Sequence, residues 1–354
     1  MPKCLRCGTE LPVNEEGVAP VLCDRCAGRA TGRARSSMNY AMLSQFPATT
    51  MLIAINLAVY SGMLLAGGWG SVMNFGPDLT FHWGANVGPY TLSGDYWRLV
   101  TAGFVHGNIL HFAMNMWCLW SLGQLSERLF GSSVTAAIYL LTGVGGALLS
   151  VGINPMRSEV GASGAVFGIA GAILSGIKFG KVSVGAAQRR QIFSSLIMFV
   201  IFNLSFGMLP GIDNVCHMGG LASGLLFGAP LAIAAASDRK SIEWATIALA
   251  TLVLVGLGSW TVESHEHVSQ LAAGQMDLQR GQIAGAIQHL QRAVTSGPKD
   301  FRAHGLLGNA YDLNRQQDLA IAEYQTTLQL NPSLDEVKQR LEELQGVTAA
   351  PSQK

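Results

Sequence analysis

Two side chains that can perform nucleophilic chemistry, a serine hydroxyl and a histidine imidazole, lie within long apolar stretches of this sequence. Ser163 follows Gly161 and Ala162 at the start of one stretch, and His217 lies near the start of another. A serine hydroxyl becomes an effective nucleophile when an adjacent base accepts its proton, and a neutral imidazole is such a base. Each residue alone has a plainer explanation. A serine in a helix often bonds to the preceding turn, and a histidine can be a hydrogen-bonded core residue.

A third apolar stretch carries further polar side chains, His106, His111 and Asn115. His111 and Asn115 are four residues apart, so a helix presents both on one face. Acyl transfer needs hydrogen-bond donors directed at the oxyanion of the transition state, and these two side chains and the backbone N–H of Ser163 are candidates. Because these stretches carry no carboxylate centrally, we expect a Ser163–His217 dyad rather than a triad.

The composition indicates the surroundings of these polar groups. Of 354 residues, 49% are hydrophobic and 13% are charged, whereas a typical soluble domain has about 25% charged residues. This deficit indicates a membrane protein. A net charge of +1 with few basic clusters argues against a nucleic-acid partner. Because neither a signal peptide nor an organelle-targeting presequence is recognisable, we expect a bacterial plasma membrane as the location.

Seven apolar stretches follow the polar N-terminal segment. About 20 residues of helix cross the hydrocarbon core of a bilayer, and a helix satisfies its own backbone hydrogen bonds there. We therefore predict an all-α polytopic membrane protein with seven transmembrane helices. The predicted spans are roughly 48–67, 105–127, 132–153, 161–180, 191–209, 214–236 and 242–262.

The basic residues predict how these spans are oriented. If the first span begins inside, the inner segments contain 13 lysines and arginines, and the outer loops before the last span contain only Arg98 and Arg157. This distribution follows the positive-inside rule. It predicts a cytoplasmic N-terminus and an extracytoplasmic C-terminal domain. The serine, histidine and asparagine side chains then lie at a similar depth, near the outer ends of three spans.

Small residues predict that two of these spans pack closely. Small-xxx-small spacing lets helix backbones approach each other. If the two faces meet, Ser163 and His217 come within side-chain reach. The glycines with this spacing are Gly164 and Gly168 in the fourth span, and Gly220, Gly224 and Gly228 in the sixth.

Taken together, these motifs resemble those of the rhomboid intramembrane serine proteases over about residues 50–236. The resemblance implies a core of six transmembrane helices, to which the seventh helix is a family variation. One departure is Cys216, where the family usually has alanine. The matching motifs are Trp97-Arg98, a structural pair of the first outer loop, His106 and His111-x3-Asn115 in the second span, Gly161-Ala162-Ser163-Gly164 in the fourth, and Cys216-His217-x2-Gly220-x3-Gly224 in the sixth.

The resemblance also implies roles for individual residues. Ser163 would be the nucleophile and His217 its general base, with no cofactor required for catalysis. The residues implied to stabilise the oxyanion or support the site are His111, Asn115, Gly161 and His106. The implied substrates are single-span membrane proteins, cut in or near the outer part of the span.

The physics of helices adds expectations about those substrates. A regular helix shields its peptide bonds, so segments weakened by glycine, proline or polar residues should be preferred. Substrate access is expected through span five and the glycine- and proline-containing segment 207–214. Two other functions remain open. One is a catalytically silent rhomboid-like protein that holds membrane clients, and the other is a transporter or channel with a histidine proton relay.

The N-terminal cysteines predict a metal site. Cys4-x2-Cys7 and Cys23-x2-Cys26 are separated by 15 residues, which suits a structural zinc ion held tetrahedrally by four thiolates. The short segment between the pairs has little apolar content, so metal ligation would supply much of its folding energy. Redox-active thiols or disulfides are the alternative.

The C-terminal part has a soluble composition and a repeat with a period of 34 residues. It resembles tetratricopeptide repeats, with two copies and a trailing helix near 334–345, and such repeats offer a concave face to a protein or peptide. A helical spacer without a ligand is the alternative. The recurring positions are Gly274, Ala286, Ala293 and Pro298, which become Gly308, Ala320, Thr327 and Pro332.

These patterns divide the chain into six segments. The predicted domains are a Cys4 zinc ribbon at 1–30, a basic linker at 31–47, a rhomboid protease core of six transmembrane helices at 48–240, a seventh transmembrane helix at 241–263, tetratricopeptide-like repeats at 266–346 and a disordered tail at 347–354.

Overall fold

Seven long helices succeed one another among the described residues between 47 and 264. The computed structural model describes residue 10 and residues 45–179, 185–207, 212–237 and 240–346. The elements of this part are, in chain order, α1 (Pro47–Gly67), α2 (Pro77–His82), β1 (Asn86–Val87), α3 (Gly88–Leu92), α4 (Arg98–Thr101), α5 (Ile109–Phe130), α6 (Ser132–Ile153), β2 (Ser158–Glu159), α7 (Ser163–Phe179), α8 (Ala186–Phe206), α9 (Asn214–Ala235) and α10 (Lys240–Ser264). Single 3-10 turns lie at Trp69–Ser71 and Ala102–Phe104.

Four of the described helices, α1, α6, α9 and α10, are long and apolar enough to cross a membrane, and α7 is a shorter apolar helix. Large apolar side chains on their outer faces are exposed, among them Leu65, Leu226 and Leu252. In water such extended apolar surfaces would be unfavourable, whereas lipid tails cover them. The length and composition of these helices support an integral membrane protein.

In two helices the bounds differ from the predicted spans by more than two residues. The second span was predicted from residue 105, but α5 begins at Ile109, because the Asn108 side chain accepts a hydrogen bond from the His111 backbone amide and caps the helix. The fifth was predicted over 191–209, whereas α8 covers Ala186–Phe206 and includes two arginines in its first turns. Hydropathy alone marks the apolar part of a helix rather than its ends.

Helix α7 is the centre of the bundle. Fourteen of its 17 residues, Gly164 to Ile177, are buried, and it packs against α5, α6, α8 and α9. Ile169 and Ile173 belong to the main apolar cluster together with residues of the surrounding helices. The glycine faces of α7 and α9 meet as their spacing predicted, with the Gly220 Cα next to the Gly164 carbonyl group.

The segment between α1 and α5 folds over the ends of the helices and is held by Arg98. The guanidinium is buried and donates to the carbonyl oxygens of Phe81 and Ala85, at 2.8 and 3.0 Å. It also pairs with Asp95 at 3.0 Å. A buried charge requires such partners. Strand β1 of this segment pairs antiparallel with β2, which places Asn86 opposite Glu159.

The C-terminal part consists of two helical hairpins and a last helix. These are α11 (Glu266–Gln279), α12 (Ile283–Ser296), α13 (Phe301–Leu313), α14 (Gln317–Leu330) and α15 (Asp335–Leu344). Gly274 faces Leu290 in the first hairpin, and Gly308 faces Tyr324 in the second, at the positions that the 34-residue period relates.

Helix α11 also contacts the core. The Ser93 hydroxyl donates to the Ser269 carbonyl oxygen at 2.8 Å, and Leu92, Val151 and Val268 form a small buried cluster. The first hairpin therefore rests on the segment between α1 and α5.

Candidate active site

The serine lies at the first residue of α7, where the chain makes a tight approach to α5. Ser163 is half-buried. Gly161 before it has a φ of 120°, which side chains rarely allow, and its amide donates to the Ala102 carbonyl oxygen at 2.9 Å. The backbone N–H of Ser163 belongs to the first turn of α7, whose amides have no partner within the helix.

The histidine lies in the first turn of α9. Its Nε2 is 2.8 Å from the Ser163 Oγ, so the structure brings together the two residues that the sequence singled out. The imidazole stacks on the Phe167 ring, with 4.5 Å between centroids and an angle of 13° between the planes. Asp213 caps α9 by accepting hydrogen bonds from the amides of Val215 and Cys216.

The partner of the other imidazole nitrogen is Asn214, which the sequence analysis missed. Its Oδ1 lies 3.2 Å from the His217 Nδ1. The Asn214 Nδ2 donates to the Leu204 carbonyl oxygen at 3.0 Å, and this bond orients the amide so that Oδ1 faces the ring. The His217 Nδ1 is then the donor, and Nε2 keeps a lone pair for the serine proton. The signal was present in the i, i+3 spacing of these two polar residues.

Two side chains of α5 border the same space. A Cβ placed on Gly161 would lie 2.6 Å from the His111 Nε2 and 3.4 Å from the Asn115 Nδ2. Asn115 is buried, and its Nδ2 has no hydrogen-bond partner among the described residues. A buried donor without a partner is unfavourable, and an oxygen that becomes negatively charged at this position would satisfy it.

His106 is beside this space rather than in it. The ring is fully buried, its Nδ1 lies 3.2 Å from the Phe104 carbonyl oxygen, and it meets His111 edge-on with 5.2 Å between centroids. It therefore supports the His111 ring. Arg98 binds carbonyl groups of its own loop, and Trp97 beside it is 47% exposed.

Several predicted residues lie outside the described part of the chain. These are Cys4, Cys7, Cys23 and Cys26 of the predicted zinc site, residues 208–211 of the predicted access segment, and the tail 347–354.

Known proteins are similar to the central part of this chain. Residues 93–234 match the Rhomboid domain family. RHOMBOID-like protein 4 of Arabidopsis thaliana is 37% identical over 150 residues, which are 42% of this chain and 38% of that protein. Rhomboid protease GluP of Bacillus subtilis (strain 168) is 29% identical over 299 residues, 74% of this chain and 57% of GluP.

A third relative is covered over most of its length. Rhomboid protease AarA of Providencia stuartii is 28% identical over 243 residues, 62% of this chain and 85% of AarA. By contrast, the chain spans 38% and 57% of the first two relatives. The matched region contains the serine, both α5 side chains and the histidine. Residues 93–234 are thus similar to the Rhomboid domain family, and these relatives support a rhomboid family protein.

Proposed function

We propose that the protein is an intramembrane serine endopeptidase in which Ser163 is the nucleophile and His217 the general base. The observation that carries this proposal is the 2.8 Å contact between the Ser163 Oγ and the His217 Nε2, with Nε2 as the acceptor. The relatives GluP and AarA are both named rhomboid proteases.

The reaction follows from the orientation of these groups. The Ser163 hydroxyl transfers its proton to the His217 Nε2 as Oγ attacks the scissile carbonyl carbon. The carbonyl oxygen becomes negatively charged and accepts hydrogen bonds from the Asn115 Nδ2, from His111 and from the Ser163 backbone N–H. The imidazolium then protonates the leaving amine, and a water molecule, deprotonated by His217, releases the acyl group from Ser163.

The substrates are single-span membrane proteins, cut near the outer leaflet at helix-weakened segments. Access runs past α8, in which only Leu196 is buried among its described residues. A helix with so few buried contacts can move at low cost. A disulfide or chemical cross-link between α8 and α5 should block turnover of membrane substrates, and undiminished turnover would refute this route.

The test of the dyad is cleavage of a fluorescent single-span substrate by the purified protein in proteoliposomes. Ser163→Ala and His217→Ala should each lower kcat by at least about 1,000-fold. Ser194→Ala is the matched control, because this hydroxyl is exposed and bonds only to the Gln191 carbonyl oxygen of its own turn.

Each alternative function predicts a different outcome. A catalytically silent protein would bind the substrate tightly without cleaving it. A transporter or channel would show proton flux that depends on the histidines and no cleavage. Equal cleavage by Ser163→Ala and the wild type would exclude the proposed nucleophile.

For the C-terminal hairpins we propose tetratricopeptide-like repeats that hold the extracytoplasmic part of a substrate. A groove of about 480 Å³ between α13, α14 and α15 supports this proposal, and its wall includes Phe301, Asn309 and Tyr324. Removal of residues 266–354 should slow cleavage of a natural substrate more than that of a generic one. Equal loss for both would count against recruitment.

We propose a bacterial plasma membrane, with α10 as a seventh transmembrane helix that carries the repeats outside, on the evidence of the basic residues. Thiol accessibility of single cysteines added at each end of α10 in intact cells tests this orientation.

The four N-terminal thiolates are proposed to bind zinc on the spacing alone. Elemental analysis of the wild type and of Cys7→Ser tests the metal. The wild type should hold one zinc ion per chain and the variant less.

A further inference from the structure

A buried carboxyl group that the proposed reaction does not use lies beneath the dyad. The Glu159 Oε2 accepts a hydrogen bond from the Asn86 Nδ2 at 2.8 Å, and its Oε1 accepts one from the Cys216 Sγ at 3.1 Å. All three residues are buried, with 5% of Glu159, 2% of Cys216 and none of Asn86 exposed. Burial of a carboxyl group costs free energy unless the group is hydrogen-bonded, and these two hydrogen bonds offset that cost.

The position of this carboxyl group connects the two halves of the dyad. Glu159 precedes Ser163 by four residues, and the intervening Gly161 lines the space next to α5. Cys216 is the residue before His217. One carboxyl group therefore links the segment that ends in the serine to the helical turn that carries the imidazole. On its other side Asn86 is fixed by the Thr91 hydroxyl at 2.7 Å.

The sulfur atom has little freedom to move. A Cβ placed on Gly164 would lie 2.7 Å from the Cys216 Sγ, and one placed on Gly146 would lie 3.0 Å from it. The thiol thus fills the junction of α6, α7 and α9, and its one carboxylate acceptor is Glu159. A displacement of the Glu159 carboxyl group would therefore also displace the helical turn that holds His217.

We infer that Glu159 and Cys216 are positioning residues of the Ser163–His217 dyad, and that the thiol-to-carboxylate hydrogen bond sets the distance between the hydroxyl and the imidazole. This inference rests on the proposed endopeptidase function. The thiol is the donor of this bond, which an alanine at the same position could not form.

The charge of Glu159 adds a readout that packing alone would not change. Burial raises the pKa of Glu159 to about 7, against the effect of the hydrogen bonds from Asn86 and Cys216 and with a contribution from the nearby Asp213. Asp213 is held by the Ser150 hydroxyl and by two amides of α9. The ionised carboxylate accepts both hydrogen bonds, whereas the protonated form must direct one oxygen elsewhere. Activity of the wild type should therefore rise as Glu159 ionises near neutral pH.

The experiment compares Cys216→Ala, Cys216→Ser and Glu159→Gln in the full-length protein, with kcat and KM measured between pH 5 and pH 9. Cys216→Ala should fold, because alanine is smaller than the cysteine it replaces and creates no clash, and should lower kcat about tenfold with little change in KM, since small misplacements of reacting groups have effects of this order. Cys216→Ser should restore most of kcat. Glu159→Gln should lower kcat and abolish the rise near neutral pH. Cys118→Ala is the matched control, since it removes the other thiol of the described residues.

Labelling of Ser163 by a fluorophosphonate separates this inference from the function on which it rests. If the wild type is labelled and cleaves its substrate, but Cys216→Ala equals it in kcat and in labelling rate, the positioning role is refuted and the endopeptidase stands. A rise near neutral pH that persists unchanged in Glu159→Gln would also refute it. If the wild type is neither labelled nor active, both proposals are wrong.

Discussion

Two helix pairs in this molecule meet at glycines, but what lies opposite the glycine differs. In the bundle, a Cβ on Gly220 of α9 would overlap the Gly164 carbonyl oxygen of α7. In the second hairpin, a Cβ on Gly308 of α13 would lie 2.8 Å from the Tyr324 ring of α14. The first contact is backbone against backbone, and the second is backbone against a side chain.

The difference shows what each contact can specify. A backbone carbonyl group within a helix has no rotamers, so the separation of α7 and α9 is fixed by the backbones of the two helices. That separation acts together with the Glu159–Cys216 contact on the distance between the Ser163 hydroxyl and the His217 imidazole, which lie near the ends of the same helices. A tyrosine ring can shift within its hairpin, so the repeats tolerate small changes without any effect on a reacting pair.

The largest effect is expected from a methyl group in the bundle. Gly220→Ala cannot be accommodated by a side-chain movement, so α7 and α9 must separate, and misplacement of the dyad by about 1 Å lowers kcat by roughly 100-fold. The measurement is cleavage of the fluorescent single-span substrate, together with the labelling rate of Ser163 by a fluorophosphonate.

The control for this prediction is the same substitution in another long helix. A Cβ on Gly256 of α10 meets no atom within 4 Å, so Gly256→Ala should leave both rates unchanged. Wild-type activity of Gly220→Ala would mean that the backbone contact does not set the geometry of the dyad.

A smaller and purely local effect is expected in the second hairpin. Gly308→Ala gains about 1 kcal/mol of helix propensity but overpacks the Tyr324 ring, which costs about 1–3 kcal/mol. A Cβ on Gly305 of the same helix would meet Thr327 only at 3.5 Å, so Gly305→Ala should be stabilising.

Hydrogen exchange in the full-length protein measures both changes. Amides of α13 and α14 should exchange faster in Gly308→Ala and more slowly in Gly305→Ala, and neither variant should change kcat for a generic substrate. Slower exchange in both variants would show that the contact between the new methyl group and the Tyr324 ring has no energetic cost.

The sequence predicted the meeting of α7 and α9, because the period of small residues on a helix is a local pattern. It could not show the contacts that hold this junction in register. Glu159 and Cys216 are 57 residues apart, and nothing in the surroundings of either indicates the other. The Asn214–His217 contact is a local pattern as well, since the two residues share a helix face, but the expectation of a carboxylate partner for the histidine leaves out an amide.

Helix ends were the other feature that hydropathy could not give. The N-terminus of α1 is held by the Glu127 carboxylate, which accepts from the amides of Ala48 and Thr49 at 3.2 and 2.7 Å. Glu127 follows Ala48 by 79 positions and Thr49 by 78 positions in the sequence. In a sequence, a carboxylate near the end of an apolar stretch suggests the start of a polar loop. In the structure, Glu127 lies in the last turns of α5.

The smallest effect on stability is expected from Asp300, which caps a helix of the repeats through local contacts only, whereas the cap of α9 also contacts a distant residue. Asp213 of α9 is tied to another helix through the Ser150 hydroxyl, whereas Asp300 of α13 contacts Arg302, two residues away, through both its backbone amide and its guanidinium. Burial alone would raise the pKa of Asp300, but the hydrogen bonds from Arg302 outweigh it and lower the pKa below its ordinary value.

The sign of the pH dependence follows from this lowered pKa. A carboxyl group with a depressed pKa stabilises the folded state above its unfolded pKa of 3.8, and loses that effect as the pH falls through the folded value. Asp300→Ala should therefore destabilise α13 by about 1 kcal/mol at neutral pH, and the difference in amide exchange should shrink as the solution is acidified below the pKa. Because the cap is local, kcat should stay unchanged. Loss of cleavage in Asp300→Ala would instead mean that α13 is coupled to the dyad, and that the two regions differ less than their glycine contacts indicate.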